Sequence, residues 1–504
     1  MSVVAIHPTN PKILTFRASP LVLVCATEHY GAVINRPFEF ERYLTDAAEK
    51  KQTLSRLFLL FRELQSAMNP ASSCKPESTN YISPFPSSGP GNALDGLPRY
   101  DLDGRNPEFY DRLHRFLNRA SDHGIIVEVV LFSNTYSEDV WALNPFHSAN
   151  NIQDLSPIPW HDYTTKRDAA RFARQIAFVR SIVEELNRYE NIIYEVCNEP
   201  GGDFPNDANP PSADEINEWI TSLIAEIRET ESKLPHRHLI AGQEAFKYKL
   251  PEELINPKDV HQFSEKAFHE MDFDIVNMHP LSNMWHRGEN YDLGRFMCGS
   301  LKLRQLRDYC LSVYAEAKPL NLDEDNAASR FMDPSGWIIH RKRAWTTLMC
   351  GAHYDMIDFS INHHLETGTS ESQQHIRKWM KLLSEFIHEL DLATARPMLD
   401  GILQVPCDVC PSALFVRQKD WFIYLADERE GNEAGGLITG ELLLDLAEGS
   451  YALSYLDPAD GSWTGGGVVQ GRNATNIPLP EFRDDLLVRL ECASSDDAMK
   501  SNQK

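Results

Sequence analysis

What this sequence has too little of narrows it first. Lysine and arginine total 49 against 73 aspartates and glutamates, a formal charge of -24 over 504 residues. Such a shortage of cations argues against nucleic acid and against anionic membranes as partners. No apolar run approaches the roughly 20 residues that a spanning helix needs, and residues 20–25 fall far short of it. The opening residues lack the basic start and long apolar core of a secretory signal, so the expected location is the cytoplasm, or outside the cell if a leader has been removed. Cysteine is scarce and odd in number. Nine scattered thiols read as reduced rather than as a disulfide framework. Cys407-x-x-Cys410 is the close pair, with no second pair at zinc spacing, so it reads as structural, as does Cys197 inside a strand.

What is present is a regular alternation. Residues 13–16 and 21–26 read as a hairpin running into a first buried strand. A helix over 38–52 and a strand over 54–61 follow, then a helix over 106–120 and a strand over 125–132. A long amphipathic helix over 166–189 delivers a strand ending at 197. Ser212 caps the next helix, to about 231, ahead of a strand at 238–241. Strands at 273–278, 319–322 and 356–361 complete the series, with helices over 294–317, 335–351 and 373–390. Eight strand-plus-helix units over about 380 residues predict an α/β fold of the (β/α)8 TIM barrel type rather than a doubly wound sheet.

After Arg396-Pro397 the pattern changes to short alternating runs at 414–417, 421–425, 442–446, 451–455 and 486–490. Turns separate them, including Gly465-Gly466-Gly467. This predicts a small antiparallel β-sandwich. The expected organisation is a catalytic barrel over 1–395, a sandwich over 396–494 and a disordered tail over 495–504.

The strand ending at 197 runs straight into Asn198-Glu199-Pro200, with Gly201-Gly202 as turn material. Ligands bind at the carboxyl edge of parallel strands. Glu28-His29-Tyr30, Arg62-Glu63, Asn134, Gln243-Glu244, His279, Asp323 to Asn326 and Asn362-His363-His364 fall at that edge too. Any one of them is most simply a solvated loop end; their gathering at one edge favours a site. Two carboxyl groups about 5 Å apart across a barrel mouth suit a retaining glycosidase, one acting as acid and then base while the other attacks the anomeric carbon. Glu199 is one candidate, and as the acid its pKa should be raised by burial or by a negative partner. At the seventh strand three acids are consecutive. Alternation sets Glu324 with Leu320 and Leu322, and Asp323 and Asp325 with Asn321, and since barrels also contain apolar layers this parity leaves the choice open.

With Tyr194-Glu195-x-x-Asn198-Glu199-Pro200 after the fourth strand and Lys318-Pro319-Leu320-x-x-x-Glu324 after the seventh, the chain resembles the glycoside hydrolases of clan A over roughly residues 10 to 395. It is most similar to cellulase-like bacterial proteins whose barrel is followed by a small sandwich of the collagen-binding type. The resemblance implies Glu199 as acid/base, Glu324 as nucleophile, Asn198 as a contact to the sugar 2-hydroxyl, and Arg56 as steering the nucleophile by charge. His279 stands after the sixth strand, where the clan often has His or Tyr. A tryptophan that the clan often places after the eighth strand is missing, since Phe359-Ser360-Ile361-Asn362 stands there. The sugar-stacking ring is then sought among Tyr30, Trp141, Trp285 and Trp337. His29 and Asn134 complete the substrate-binding candidates.

The expected function is retaining O-glycoside hydrolysis of a β-linked or related glycan, with no cofactor and no metal. Alternatives are an inactive carbohydrate-binding barrel and a metal-dependent barrel hydrolase; against the latter stands the expectation that no tight His-x-His or His-Glu-x-x-His spacing occurs. The loop-like segments 65–105 and 141–163 suggest a walled pocket for short oligosaccharides. Neither the particular sugar nor the oligomeric state is written in the chain.

Overall fold

The computed structural model describes residues 3–63, 72–204, 208–247, 264–279, 302–325, 334–429 and 433–492. Eight parallel strands form one sheet: β1 (Val24–Thr27), β2 (Leu54–Phe58), β3 (Ile126–Ser133), β4 (Ile192–Asn198), β5 (Ile240–Gly242), β6 (Ile275–Met278), β7 (Leu320–Leu322) and β8 (His353–Ile357). Their spatial order, β1-β8-β7-β6-β5-β4-β3-β2, is that of a barrel. Backbone bonds from Thr53 to Val24 (3.2 Å) and from Phe58 to Tyr30 (2.9 Å) join its ends.

Helices α1 (Phe40–Glu49), α2 (Pro107–Asp122), α3 (Ala169–Leu186), α4 (Ala213–Glu231), α5 (Glu265–His269), α6 (Leu303–Val313), α7 (Pro334–Met349) and α8 (Ile376–Glu389) alternate with the strands. Their starts follow from local chemistry. Asn106 accepts from Glu108 N ahead of Pro107, Asp168 accepts from Ala170 N and Arg171 N, and Ser212 with Glu215 forms a capping box. Among the described residues no helix is long and apolar enough to cross a membrane.

Strand parity sorts the barrel interior into layers. At its amino end Leu23, Cys25, Leu54, Ile126, Ile193, Leu239, Ala241 and Ile275 pack with Val4, Leu14 and Phe16 of the N-terminal hairpin, which closes that end. The next inward positions are polar. Arg56 is in register with Glu128, Asn277 with Asn321, and Asp355 with Cys25. All six of these side chains are at most 1% exposed.

The C-terminal region has strands β9 (Val409–Val416), β10 (Asp420–Asp427), β11 (Glu441–Leu444), β12 (Gly449–Leu456), β13 (Trp463–Gly471), β14 (Thr475–Pro478) and β15 (Asp485–Cys492). With the short edge strands Arg396–Pro397 and Ile402–Gln404 they form a six-stranded and a three-stranded antiparallel sheet around an apolar core of their own. This sandwich leans on α6, α7 and α8. Trp345 stacks on Tyr424 at 5.3 Å, Arg341 pairs with Asp485 at 2.6 Å, and Trp379 donates to the Ala459 carbonyl at 2.7 Å.

The chain departs from its sequence pattern in three instructive places. The eighth strand is His353–Ile357 rather than 356–361, because His353 and Asp355 face a polar interior and so hide an apolar-run signal. Gly465-Gly466-Gly467 is not a turn but lies inside β13, opposite a register shift at Leu453/Ser454. The segment 65–105 holds a short hairpin, Ser87–Asn92 with Pro98–Tyr100.

Candidate active site

Asn198 ends β4, and Glu199 follows it with a left-handed backbone (φ 47°). Glu324 follows Asp323 beyond β7 in the same way (φ 52°). Non-glycine residues seldom adopt this conformation, and it breaks strand alternation. Leu320 and Leu322 face the helices, and Asn321 and Asp323 face the barrel axis. Glu324 nonetheless turns back over the mouth. Parity was therefore silent about it for a physical reason.

Glu199, His279 and Glu324 each offer one atom within 4.8 Å of the other two. His279 lies between several acids, with Nδ1 at 3.1 Å from Glu199 and 4.0 Å from Glu324, and Nε2 at 3.0 Å from Asp323. Arg56, fully buried on β2, sends Nη1 to Glu324 Oε2 (2.8 Å) and Nη2 to Asn198 Oδ1 (3.1 Å). It also pairs with Glu195, through both Nε (3.0 Å) and Nη2, and with Asp323 at 3.2 Å. Asp325 points elsewhere. Arg343 of α7 and the Tyr354 hydroxyl hold it. Of the three consecutive acids, Glu324 alone joins Glu199.

Burial dominates the electrostatics of this cluster. It pushes the Glu324 carboxyl up to about 8, against the charges of His279 and Arg56 and with the help of Glu199. On Glu199 burial is outweighed by the His279 hydrogen bond and charge and by the Tyr136 hydroxyl, which hold that carboxyl below the usual range. Burial likewise opposes protonation of His279, but hydrogen bonds to Asp323 and Glu199 keep its imidazole well above its usual range. The expectation of a raised pKa on Glu199 is thus reversed without substrate, because an imidazolium donates to it. The two carboxyl groups still share about one proton, but it rests on the Glu324 side.

The remaining candidates divide. Tyr30 is fully buried, its ring under the Arg56 guanidinium (4.6 Å) and its hydroxyl donating to Asp355 (3.2 Å), so it supports Arg56 and offers no open face for a sugar. His29 meets Ser72 Oγ at 2.8 Å and packs on Phe359. Asn134 fixes a turn, accepting from Tyr136 N at 3.1 Å, and its N–H donates to the Asn198 carbonyl. Trp337 lies in α7, 1% exposed and stacked on His375; Trp141 is equally buried against Tyr163. Trp285 lies outside the described residues. Sequence reasoning passed over Tyr136, whose hydroxyl donates to Glu199 Oε2 at 2.6 Å, although it stands two residues beyond Asn134 at the end of the third strand. Gln243 was noted only as part of a polar cluster. It is 5% exposed at the end of β5, and neither amide atom has a hydrogen-bond partner.

Two groups of side chains bear on the metal reading. Glu195, His279 and Asp323 form a second cluster of possible ligands, but Arg56 already bonds both of its carboxylates. One His-x-His does occur, His236 to His238, at the other end of the barrel, where Glu231 and the Tyr189 carbonyl hold His238.

A family model described as cellulase (glycosyl hydrolase family 5) matches residues 91–294, a stretch that includes Asn198, Glu199 and His279 and stops short of Glu324. Over that stretch the chain is similar to the glycoside hydrolases of family 5. Its fold extends the likeness through the sandwich. A solved glycoside hydrolase is similar over 98% of this chain and 98% of its own, at 11% identity and a TM-score of 0.59. A glycoside hydrolase of family 5 from Bacteroides vulgatus ATCC 8482 is similar over 98% and 93%, at 12% identity and a TM-score of 0.58. No curated protein matches this chain.

Proposed function

We propose that this glycosidase cleaves a β-linked or related glycan with retention, Glu324 attacking the anomeric carbon and Glu199 serving first as acid and then as base. The observation that carries this reading is the separation of the two carboxyl groups, with oxygens within 4.8 Å. Retaining enzymes hold the pair about 5–5.5 Å apart, whereas inverting ones leave about 6.5–9.5 Å for a water. In the first step Glu324 forms a bond to the anomeric carbon while Glu199 gives its proton to the departing oxygen. In the second, Glu199 takes a proton from water, and the oxygen of that water displaces Glu324. The pair needs one proton in all, placed on Glu199. His279 Nδ1, at 3.1 Å, is positioned to hand one over, and Arg56 favours the anionic form of Glu324 that must attack.

Glu199→Ala is expected to lower kcat by roughly 100- to 10,000-fold on aryl glycosides, with azide restoring turnover and forming the glycosyl azide of retained configuration. Proton NMR of the wild-type reaction should show the first-formed sugar with its original anomeric configuration. An inverted first product would defeat the reading. Loss of activity on adding a chelator would favour metal-assisted hydrolysis at the same acids, and sugar binding without turnover an inactive barrel.

A further inference from the structure

Among the described residues, Tyr136 is the one side chain besides His279 that bonds directly to the carboxyl group of Glu199. Its hydroxyl donates to Glu199 Oε2 at 2.6 Å and accepts from Asn198 Nδ2 at 2.8 Å, so it bridges the two residues that close β4. The hydroxyl is held in place from behind. Asn134 Oδ1 takes the backbone N–H of Tyr136, whose φ of 58° is left-handed, and Ser137 next to it caps the short helix Glu138–Trp141. The ring packs edge-on against Phe61 at 5.8 Å. A tyrosine kept in a strained backbone with its hydroxyl so placed has a task beyond filling space.

We propose that Tyr136 is a positioning residue for Glu199, orienting its carboxyl group toward Glu324 and, by donating to it, holding back its uptake of a proton until substrate is bound. The proposal rests on the acid/base reading of Glu199. A donor to a carboxylate favours the charged form, and the same bond cannot be made once Oε2 itself carries the proton unless the hydroxyl rotates. The other groups facing Glu199 are His279, Glu324, Arg56 and His29, with Cys197 behind it on β4. Burial pushes the phenol of Tyr136 well above its usual range, and the charges of Glu199 and Glu324 add to this, so it stays a donor across the working range.

The test is the acidic limb of the kcat/KM profile on an aryl glycoside that the wild type cleaves, because with the shared proton resting on Glu324 it is this limb that reports Glu199. Tyr136→Phe keeps the ring and should keep the fold, checked by circular dichroism and thermal unfolding. It should move that limb to higher pH by about one unit, the worth of a hydrogen bond to a charged group. Biosynthetic replacement of Tyr136 by 3,5-difluorotyrosine, a stronger donor, should move it to lower pH. In the Glu199→Ala background with azide, Tyr136→Phe should change the rate less than twofold, because its effect runs through Glu199. A limb that stays in place in both variants, or an undiminished effect without Glu199, overturns the proposal. Failure of azide to rescue Glu199→Ala overturns the acid/base reading instead, and with it the premise.

Discussion

The barrel and the sandwich are both strand layers closed around a buried interior, and they fill it in opposite ways. Inside the sandwich stand Val409, Ala413, Trp421, Ile423, Leu425, Leu442, Leu453, Val488 and their apolar neighbours. Above its apolar floor the barrel buries Glu128, Glu195, Asp323 and Asp355 around one guanidinium, with Glu199 and Glu324 at the rim. Charges taken out of water cost stability unless well paired, and several oxygens here, among them Glu128 Oε2, Glu195 Oε1 and Asp323 Oδ1, have no hydrogen-bond partner. A barrel selected for stability alone would be filled as the sandwich is. The difference locates the chemistry: one interior is built to hold together, the other to hold charge where a reaction can use it.

Arg56 is where that contrast breaks most sharply. It is the cation that Glu195, Glu324 and Asp323 share, so Arg56→Met removes one charge and leaves three acids facing each other. Losing one partner of a buried pair costs roughly 3–5 kcal/mol, and at least that much is expected from urea unfolding, together with loss of turnover in the molecules that remain folded. A variant as stable and as active as the wild type would show that the polar layer is not organised around Arg56.

Ile423, fully buried at the centre of β10, sharpens the comparison from the other side. Ile423→Ala deletes apolar volume from the sandwich core and should cost about 2–5 kcal/mol by urea unfolding. Its kcat and pH profile, measured where the protein stays folded, should match the wild type. A changed pH profile would mean that the sandwich reaches the site through α7.

The same contrast explains what could be read in advance. Strands β10 and β15 alternate apolar residues against a dry core, and a period of two finds them. In β8 the inward residues are His353 and Asp355, so the apolar pattern pointed three residues too late. Glu199 was legible because Asn-Glu-Pro closes a strand that is apolar on its outer face. The choice of Glu324 over Asp323 and Asp325 came from family likeness, since a left-handed residue reorients it after β7 and no spacing rule sees φ. Tyr136 was missed for a related reason: its bond to Glu199 is made across two strands' ends, and nothing local marks a tyrosine for that.

The gentlest test separates the two interiors by pH alone. Burial pushes the carboxyl groups of Glu28 and Glu195 up to about 7 and Glu324 to about 8, and holds Glu128 and Asp355 well above their usual range. Each of these keeps its proton in the folded chain at a pH where the unfolded chain has lost it, so each lowers stability as pH rises from about 4.5 towards its folded value. His279, raised as well, acts in the same direction, its contribution complete below about 6.5 and lost above. Buried neutral histidines oppose this at lower pH: desolvation brings His29 and His340 to about 4 and His353 to about 3, so they gain the fold stability as pH climbs to about 6.5 and nothing beyond. Between about pH 6.5 and 8.5 the carboxyl groups therefore act without that opposition, and stability should fall. Glu128→Gln, whose amide oxygen can still accept from Asn277, should flatten the fall by at most about 1.4 kcal/mol per pH unit, read from urea unfolding at several pH values. Ile423→Ala should lower the whole curve and leave its slope unchanged. If Glu128→Gln left the slope as steep as before, the proton would have to reside on a neighbour, with Asp355 and Glu195 the next to replace.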